Sequence, residues 1–160
     1  MSGKIEIFNN FFSEELFKKL VKQNNNNWEA RDFFHLYKDC IEDLYTKESL
    51  NEIIQFTGKN FILKRAYSLG SCPITSNLIR HCDTHENSSH TALLYSNPHW
   101  NSEWGSGTFF GSDNQNFVQA APNKLVLFET KDNWHHASPS NMNVQMWRFV
   151  IVWKLHYANI

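Results

Sequence analysis

Along the first third of the chain the apolar residues recur with a helical period. Leu16, Phe17, Leu20 and Val21 fall on one face, Ser13 stands at the N-cap, and Glu14 and Glu15 occupy the first turn, where the helix dipole favours anions. This spacing predicts a helix that ends in the run Asn24 to Asn27. A second helical pattern covers about Ala30 to Leu44. A third runs from a Thr46 cap through Leu50, Ile53, Ile54 and Phe56 to a stop at Gly58. From Asn60 the period shortens to β-rich runs separated by Gly, Asn, Ser and Pro. Strands are predicted near Phe61 to Ser68, Asn77 to Asp83, Thr91 to Ser96, Gly107 to Phe110, Phe117 to Ala120, Lys124 to Glu129 and Met146 to His156. Many short strands behind a helical front predict a mainly β architecture, a jelly roll with the N-terminal helices packed outside. With no internal repeat and no long linker, residues 1–160 read as one domain, with a helical front over about 1–58 and a jelly-roll core over about 60–157.

Composition narrows the function classes. Hydrophobic residues make up 41% and aromatics 15%, too apolar a mixture for a disordered chain. Fifteen Lys and Arg against sixteen Asp and Glu leave a formal charge of -1, so no basic surplus would hold the chain on nucleic acid or an anionic membrane. No apolar run approaches the ~20 residues that cross a bilayer, and the first residues lack the apolar core of a signal peptide. Cys40, Cys72 and Cys82 are odd in number and show no Cys-x-x-Cys spacing, which argues against a disulfide framework or thiolate zinc site. A cytoplasmic setting is expected.

Histidine is the feature that calls for chemistry. Of eight histidines, His81, His85, His90, His99, His135 and His136 lie within one stretch. In IRHCDTH, His81 and Asp83 are two apart in a strand pattern, so an imidazole and a carboxylate point to one face. A third ligand has to come from elsewhere, and WHHASP offers His135 or His136. Two His and one carboxylate on one face of a metal form the facial triad of non-haem iron(II) oxygenases. Arg148, inside the apolar strand MWRFVIVWKL, needs an anionic partner. A dicarboxylic acid reaching from the metal would supply one, as would an internal salt bridge.

The ordered set His81-x-Asp83, TALLYSNPHWNSEWGSGTFF, APNKLVLFET, WHHASP and WRFVIVW resembles the 2-oxoglutarate and iron(II)-dependent oxygenases, in particular their prolyl 4-hydroxylase-like branch. The leading IEIFNNFFSEELFKKL resembles that branch as well, so the likeness spans nearly the whole chain. It implies a double-stranded β-helix, with His81, Asp83 and His135 as the catalytic iron ligands. His135 is preferred over His136 because the family pattern places a proline four residues after the ligand, as Pro139 stands here. Adjacent strand residues also point to opposite faces. Arg148 matches the residue that binds the distal carboxylate of 2-oxoglutarate.

The implied cofactors are Fe(II), 2-oxoglutarate as co-substrate and O2, with ascorbate as an accessory reductant. The implied reaction hydroxylates a peptide, prolyl or small-molecule substrate and releases succinate and CO2. Val150 stands where the family often carries Ser or Thr, which leaves Tyr95 or Tyr67 as candidate hydroxyl donors to the co-substrate. The usual Gly-Gly appears as Gly105-Ser106-Gly107. Lys154, six residues after Arg148, distantly resembles the paired basic residues of nucleic-acid demethylases. The competing readings are a non-catalytic jelly-roll metal-binding module and, behind it, a demethylase of alkylated nucleic acid. Oligomeric state is not legible.

Overall fold

The computed structural model describes residues 3–24, 27–32, 35–72, 79–86, 88–111 and 116–158, with the backbone alone at 85–86. Its elements are β1 (Ile5–Phe8), α1 (Glu14–Gln23), β2 (Glu29–Ala30), β3 (His35–Asp39), α2 (Leu44–Thr57), β4 (Phe61–Ser71), β5 (His90–Tyr95), β6 (Gly105–Phe110), β7 (Asn116–Gln119), β8 (Lys124–Glu129), β9 (His135–Ser140) and β10 (Arg148–Tyr157). Short 3-10 turns lie at Asp83–Glu86 and Ser102–Trp104. A seven-stranded sheet in the order β1-β8-β5-β10-β4-β3-β2 faces a three-stranded sheet in the order β7-β6-β9, and every pairing is antiparallel. This is a jelly roll.

The near-continuous apolar runs of β8 and β10 follow from a large sheet covered on both faces. Leu125, Leu127, Ile151, Trp153 and Leu155 pack with Leu16, Leu20 and Ile53 of the helices, while Val126, Phe128, Val150 and Val152 pack with Phe110 and Val118 of the small sheet. Strand alternation thus sends odd positions of β10 to the helices and even positions to the space between the sheets. Trp153 also donates its indole N–H to the Thr46 carbonyl (3.1 Å), tying the start of α2 to the sheet.

α1 forms as its pattern predicts, with Ser13 accepting a hydrogen bond from the Leu16 amide, and α2 ends at Gly58 with a left-handed φ of 64°. Three features of the front differ from the sequence reading. α2 begins at Leu44 behind Asp43, with Thr46 inside the helix and not at its cap. The helix expected over Ala30 to Leu44 is β2 and β3. β3 adds to the sheet through β4, from His35 opposite Ser71 to Asp39 opposite Tyr67. Main-chain pairing with a distant strand overrides a weak local helical period there. β1, inside the expected helical front, pairs with β8. The strand expected over Asn77 to Asp83 is also absent at its described positions. Residues 77–78 lie outside the described residues, His81 makes an isolated bridge to His135, and Asp83 begins a 3-10 turn. Among the described residues no helix is long and apolar enough to cross a membrane.

Candidate metal centre

His81, Asp83 and His135 meet at one end of the space between the sheets, each offering a ligand atom within 4.8 Å of the others. The bridge aligns the first and last of them: His81 and His135 exchange backbone hydrogen bonds of 3.0 and 2.9 Å, and their rings lie 4.5 Å apart. Asp83 joins because the chain turns after Cys82 rather than through strand alternation. His136 faces the other side of β9 and stacks on Phe109 at 5.4 Å.

Hydrogen bonding fixes the histidine tautomers. His81 Nδ1 lies 2.8 Å from the Ile79 carbonyl and His135 Nδ1 lies 3.0 Å from the Asn133 carbonyl. A carbonyl can only accept, so each Nδ1 carries a proton, and in the neutral ring the Nε2 presents its lone pair. Both Nε2 atoms face Asp83, His81 to Oδ1 and His135 to Oδ2, at 3.6 Å in each case. Burial pushes His135 down to about 4, against the pull of Asp83, so the ring is neutral near pH 7. Burial works to raise the Asp83 carboxyl, but the Lys154 ammonium, His135 and the Thr91 hydroxyl outweigh it and hold the group below its ordinary value. Two imidazole lone pairs and one carboxylate, oriented from outside by carbonyls, form a donor set suited to a divalent transition metal. Atoms that share one ion at about 2.0–2.2 Å lie at most about 4.4 Å apart, so the three donors would draw together around a bound ion.

The cavity beside this cluster is lined by Leu93, Phe128, Val150 and Val152, with Lys154 at one end of β10's inner face and Arg148 at the other. Arg148 is 4% exposed. Its Nη1 donates to Ser106 Oγ (3.1 Å) and the Gly107 carbonyl (2.7 Å), with the Ser138 carbonyl at 3.5 Å. Its Nε is buried without a hydrogen-bond partner, and among the described residues Arg148 makes no ion pair. Burial therefore disfavours the guanidinium charge, with only Tyr95 acting to support it. A buried cation among neutral oxygens, with an N–H left over, fits an incoming carboxylate.

The sequence-predicted donors part company here. Tyr95 is fully buried beside Arg148, with its hydroxyl engaged to Thr108 Oγ1 (2.8 Å) and the Val118 carbonyl (3.2 Å); Thr108, not Tyr95, lines the cavity. Tyr67 lines the cavity and packs on Tyr37 at 5.8 Å. His90 packs on Phe61 and His99 is exposed, neither of them a member of the cluster, and the side chain of His85 lies outside the described residues. Trp100 and Trp104 pack edge to face at 5.4 Å, and Trp134 is exposed. Thr91, Ser106 and Thr108 lie within the segment TALLYSNPHWNSEWGSGTFF, but no site role attaches to them from the sequence. Only their register opposite Lys154 and beside Arg148 reveals them.

The sequence matches no protein-family model and no curated protein. Solved structures do match. A prolyl hydroxylase from Trichoplax adhaerens, in complex with a hypoxia inducible factor oxygen degradation domain peptide fragment, is 19% identical with a TM-score of 0.69, over 96% of this chain and 83% of that one. The fold is that of the prolyl hydroxylases. A Pseudomonas putida prolyl-4-hydroxylase shares it at 17% identity and TM-score 0.67, over 98% of this chain and 94% of its own. HygX from Streptomyces hygroscopicus, solved with nickel, 2-oxoglutarate and hygromycin B bound, shares it at 10% identity and TM-score 0.73, over 98% and 84%. In this prolyl-hydroxylase fold the histidine and carboxylate cluster lies between the two sheets, with Arg148 along the same strand face.

Proposed function

We propose that the protein is an iron(II)- and 2-oxoglutarate-dependent dioxygenase that hydroxylates a peptide, prolyl or small-molecule substrate. The observation that carries this reading is a single cavity with three converging metal-type donors at one end and a buried guanidinium with an unpartnered Nε at the other. His81, Asp83 and His135 would hold iron(II), leaving the cavity side open to the co-substrate. Arg148, set by Ser106 and Gly107, would take the distal carboxylate of 2-oxoglutarate, in a charge-assisted pair that neutral donors could not equal. Bound iron and 2-oxoglutarate would supply the oxidising chemistry with O2, yielding succinate and CO2, and ascorbate would keep the metal reduced. The apolar wall of Leu93, Phe128, Val150 and Val152 would exclude water from the reacting groups. A cytoplasmic setting is part of this reading, with Cys40, Cys72 and Cys82 as free thiols. The Trichoplax enzyme is solved with a peptide fragment and HygX with hygromycin B, which supports keeping both substrate classes.

The test is anaerobic titration of the iron(II)-loaded protein with 2-oxoglutarate, followed by admission of air. The reading expects a charge-transfer absorption on binding and slow succinate formation without added substrate. Absence of keto-acid binding refutes it, and a metal that binds without oxygen-dependent succinate favours the non-catalytic binding module.

A further inference from the structure

Lys154 stands at a place that the proposed reaction does not use. Its ammonium is 2% exposed, faces the space between the sheets and pairs with Asp83 Oδ2. The pairing of β5 with β10 sets Thr91 opposite Lys154. The Thr91 hydroxyl donates to the same Asp83 oxygen (2.8 Å), and Lys154 Nζ donates to Thr91 Oγ1 (3.3 Å). Oδ2 thus receives two donors, while among the described residues Oδ1 faces only His81 Nε2, at 3.6 Å.

We propose that Lys154 is a resident counter-ion of the metal site, which with Thr91 clamps one oxygen of Asp83 and leaves the other for the metal; this rests on the oxygenase reading for the identity of that metal. A carboxylate as deeply buried as that of Asp83 is costly without a cation. Lys154 supplies that cation in the metal-free protein, so the cluster stays assembled while iron is away. The same charge opposes an arriving divalent ion, because the carboxylate is already compensated. The site therefore exchanges some metal affinity for stability of the empty state. It also follows that Asp83 ligates through Oδ1 alone, since Oδ2 remains held.

Thermal unfolding and Mn(II) titration of chelator-treated protein test this without reference to turnover. Lys154→Met is expected to lower the melting temperature of the metal-free protein by several degrees and to bind Mn(II) several-fold more tightly than the parent, with a larger Mn(II)-induced rise in melting temperature. A merely structural lysine would leave Mn(II) affinity unchanged or weakened, and either result overturns the proposal. Lys154→Arg keeps the cation and should restore both readouts toward the parent. Thr91→Val removes one donor from Oδ2 without altering charge. It should move both readouts in the same direction by less, and covers the case in which Lys154→Met does not fold. If the parent binds no Mn(II), the oxygenase reading fails, and the clamp is then judged by the metal-free cycle of Asp83→Asn, Lys154→Met and the double variant. Each single change should destabilise and the double should recover part of the loss, whereas simple additivity overturns the clamp.

Discussion

The inner face of β10 carries a buried cation at each end, and the two are satisfied in opposite ways. Lys154 meets a carboxylate directly, with a threonine hydroxyl completing the contact. Arg148 rests on a serine hydroxyl and main-chain carbonyls, keeps an unpartnered Nε, and finds no anion among the described residues. Both lie on one strand, six residues apart, with Val150 and Val152 between them on the same face. The difference is informative because burying a charge is tolerated when its partner is built in and is otherwise costly. The Lys154 end is therefore complete before any ligand arrives, and the Arg148 end is complete only with one. Stability should reside at the first and co-substrate affinity at the second.

The largest effect should come from breaking the Lys154 end. Asp83→Ala removes a metal donor and strands a buried ammonium. Metal binding should fall beyond the ~10–100-fold typical of losing an outer partner of a ligand. Breaking a buried pair from one side should cost the metal-free protein about 3–5 kcal/mol. Isothermal titration with Mn(II) and denaturant unfolding read the two consequences separately. Retained stoichiometric metal would remove Asp83 from the donor set.

Acid should act on the same end by a different route. In the unfolded chain His135 takes a proton near its ordinary 6.5, whereas in the folded protein burial holds it at about 4. Between these values the unfolded state binds more protons, so this contribution is fully present above pH 6.5 and is lost as the pH falls toward 4. The shift corresponds to about 3 kcal/mol. Denaturant midpoints of the metal-free protein across this range should show the decline, and His135→Gln should flatten it.

At the Arg148 end the signs reverse. Arg148→Met removes a buried charge that has no counter-ion, so the metal-free protein should keep its stability or gain about 1 kcal/mol. Affinity for 2-oxoglutarate should fall about 10–100-fold, the worth of charge-assisted hydrogen bonds to a carboxylate. Equilibrium titration of the keto acid into the Mn(II) form checks the second, and unchanged affinity would move the distal carboxylate elsewhere. A large loss of stability would instead place Arg148 in the structural class with Lys154.

How much of this contrast the amino-acid sequence discloses depends on the range of the interaction. The two-sided burial of β8 and β10 is written in their unbroken apolar runs, and the three side chains that converge are those that stand out by residue type and spacing. The contact of Lys154 with Asp83 is not legible, because it links positions 71 apart (154 - 83) through the register of a third strand, β5. β3 escapes for the same reason. Its strand character comes from β4, and its local spacing can equally be read as helical. Even the alignment of His81 with Asp83 arises from a bridge and a turn, although strand alternation predicts the same convergence. Local period reports which faces are buried, and it is silent on which distant group each buried polar side chain meets.

Ser106 gives the smallest and most discriminating change. Ser106 holds a φ of 66°, a left-handed conformation that costs an L-residue about 1–2 kcal/mol. The neighbouring Gly107 is obligatory, since a Cβ there would collide with the Val118 carbonyl oxygen. Ser106 has no such excuse, but its hydroxyl accepts from Arg148 Nη1 and donates to the Ser138 carbonyl, both at 3.1 Å. Ser106→Gly should relieve the backbone strain, offset by about 0.4–1 kcal/mol of added unfolded-state entropy, and so leave the melting temperature nearly unchanged. It should also loosen the guanidinium, weakening 2-oxoglutarate binding about fivefold, the worth of one hydrogen bond near 1 kcal/mol. Ser106→Ala loses the same hydroxyl while keeping the strained φ, so it should match the glycine variant in affinity and fall below it in stability. Equal affinity in all three proteins would mean that Arg148 needs no hydroxyl to orient it, and the carbonyls of Gly107 and Ser138 would then carry that task alone.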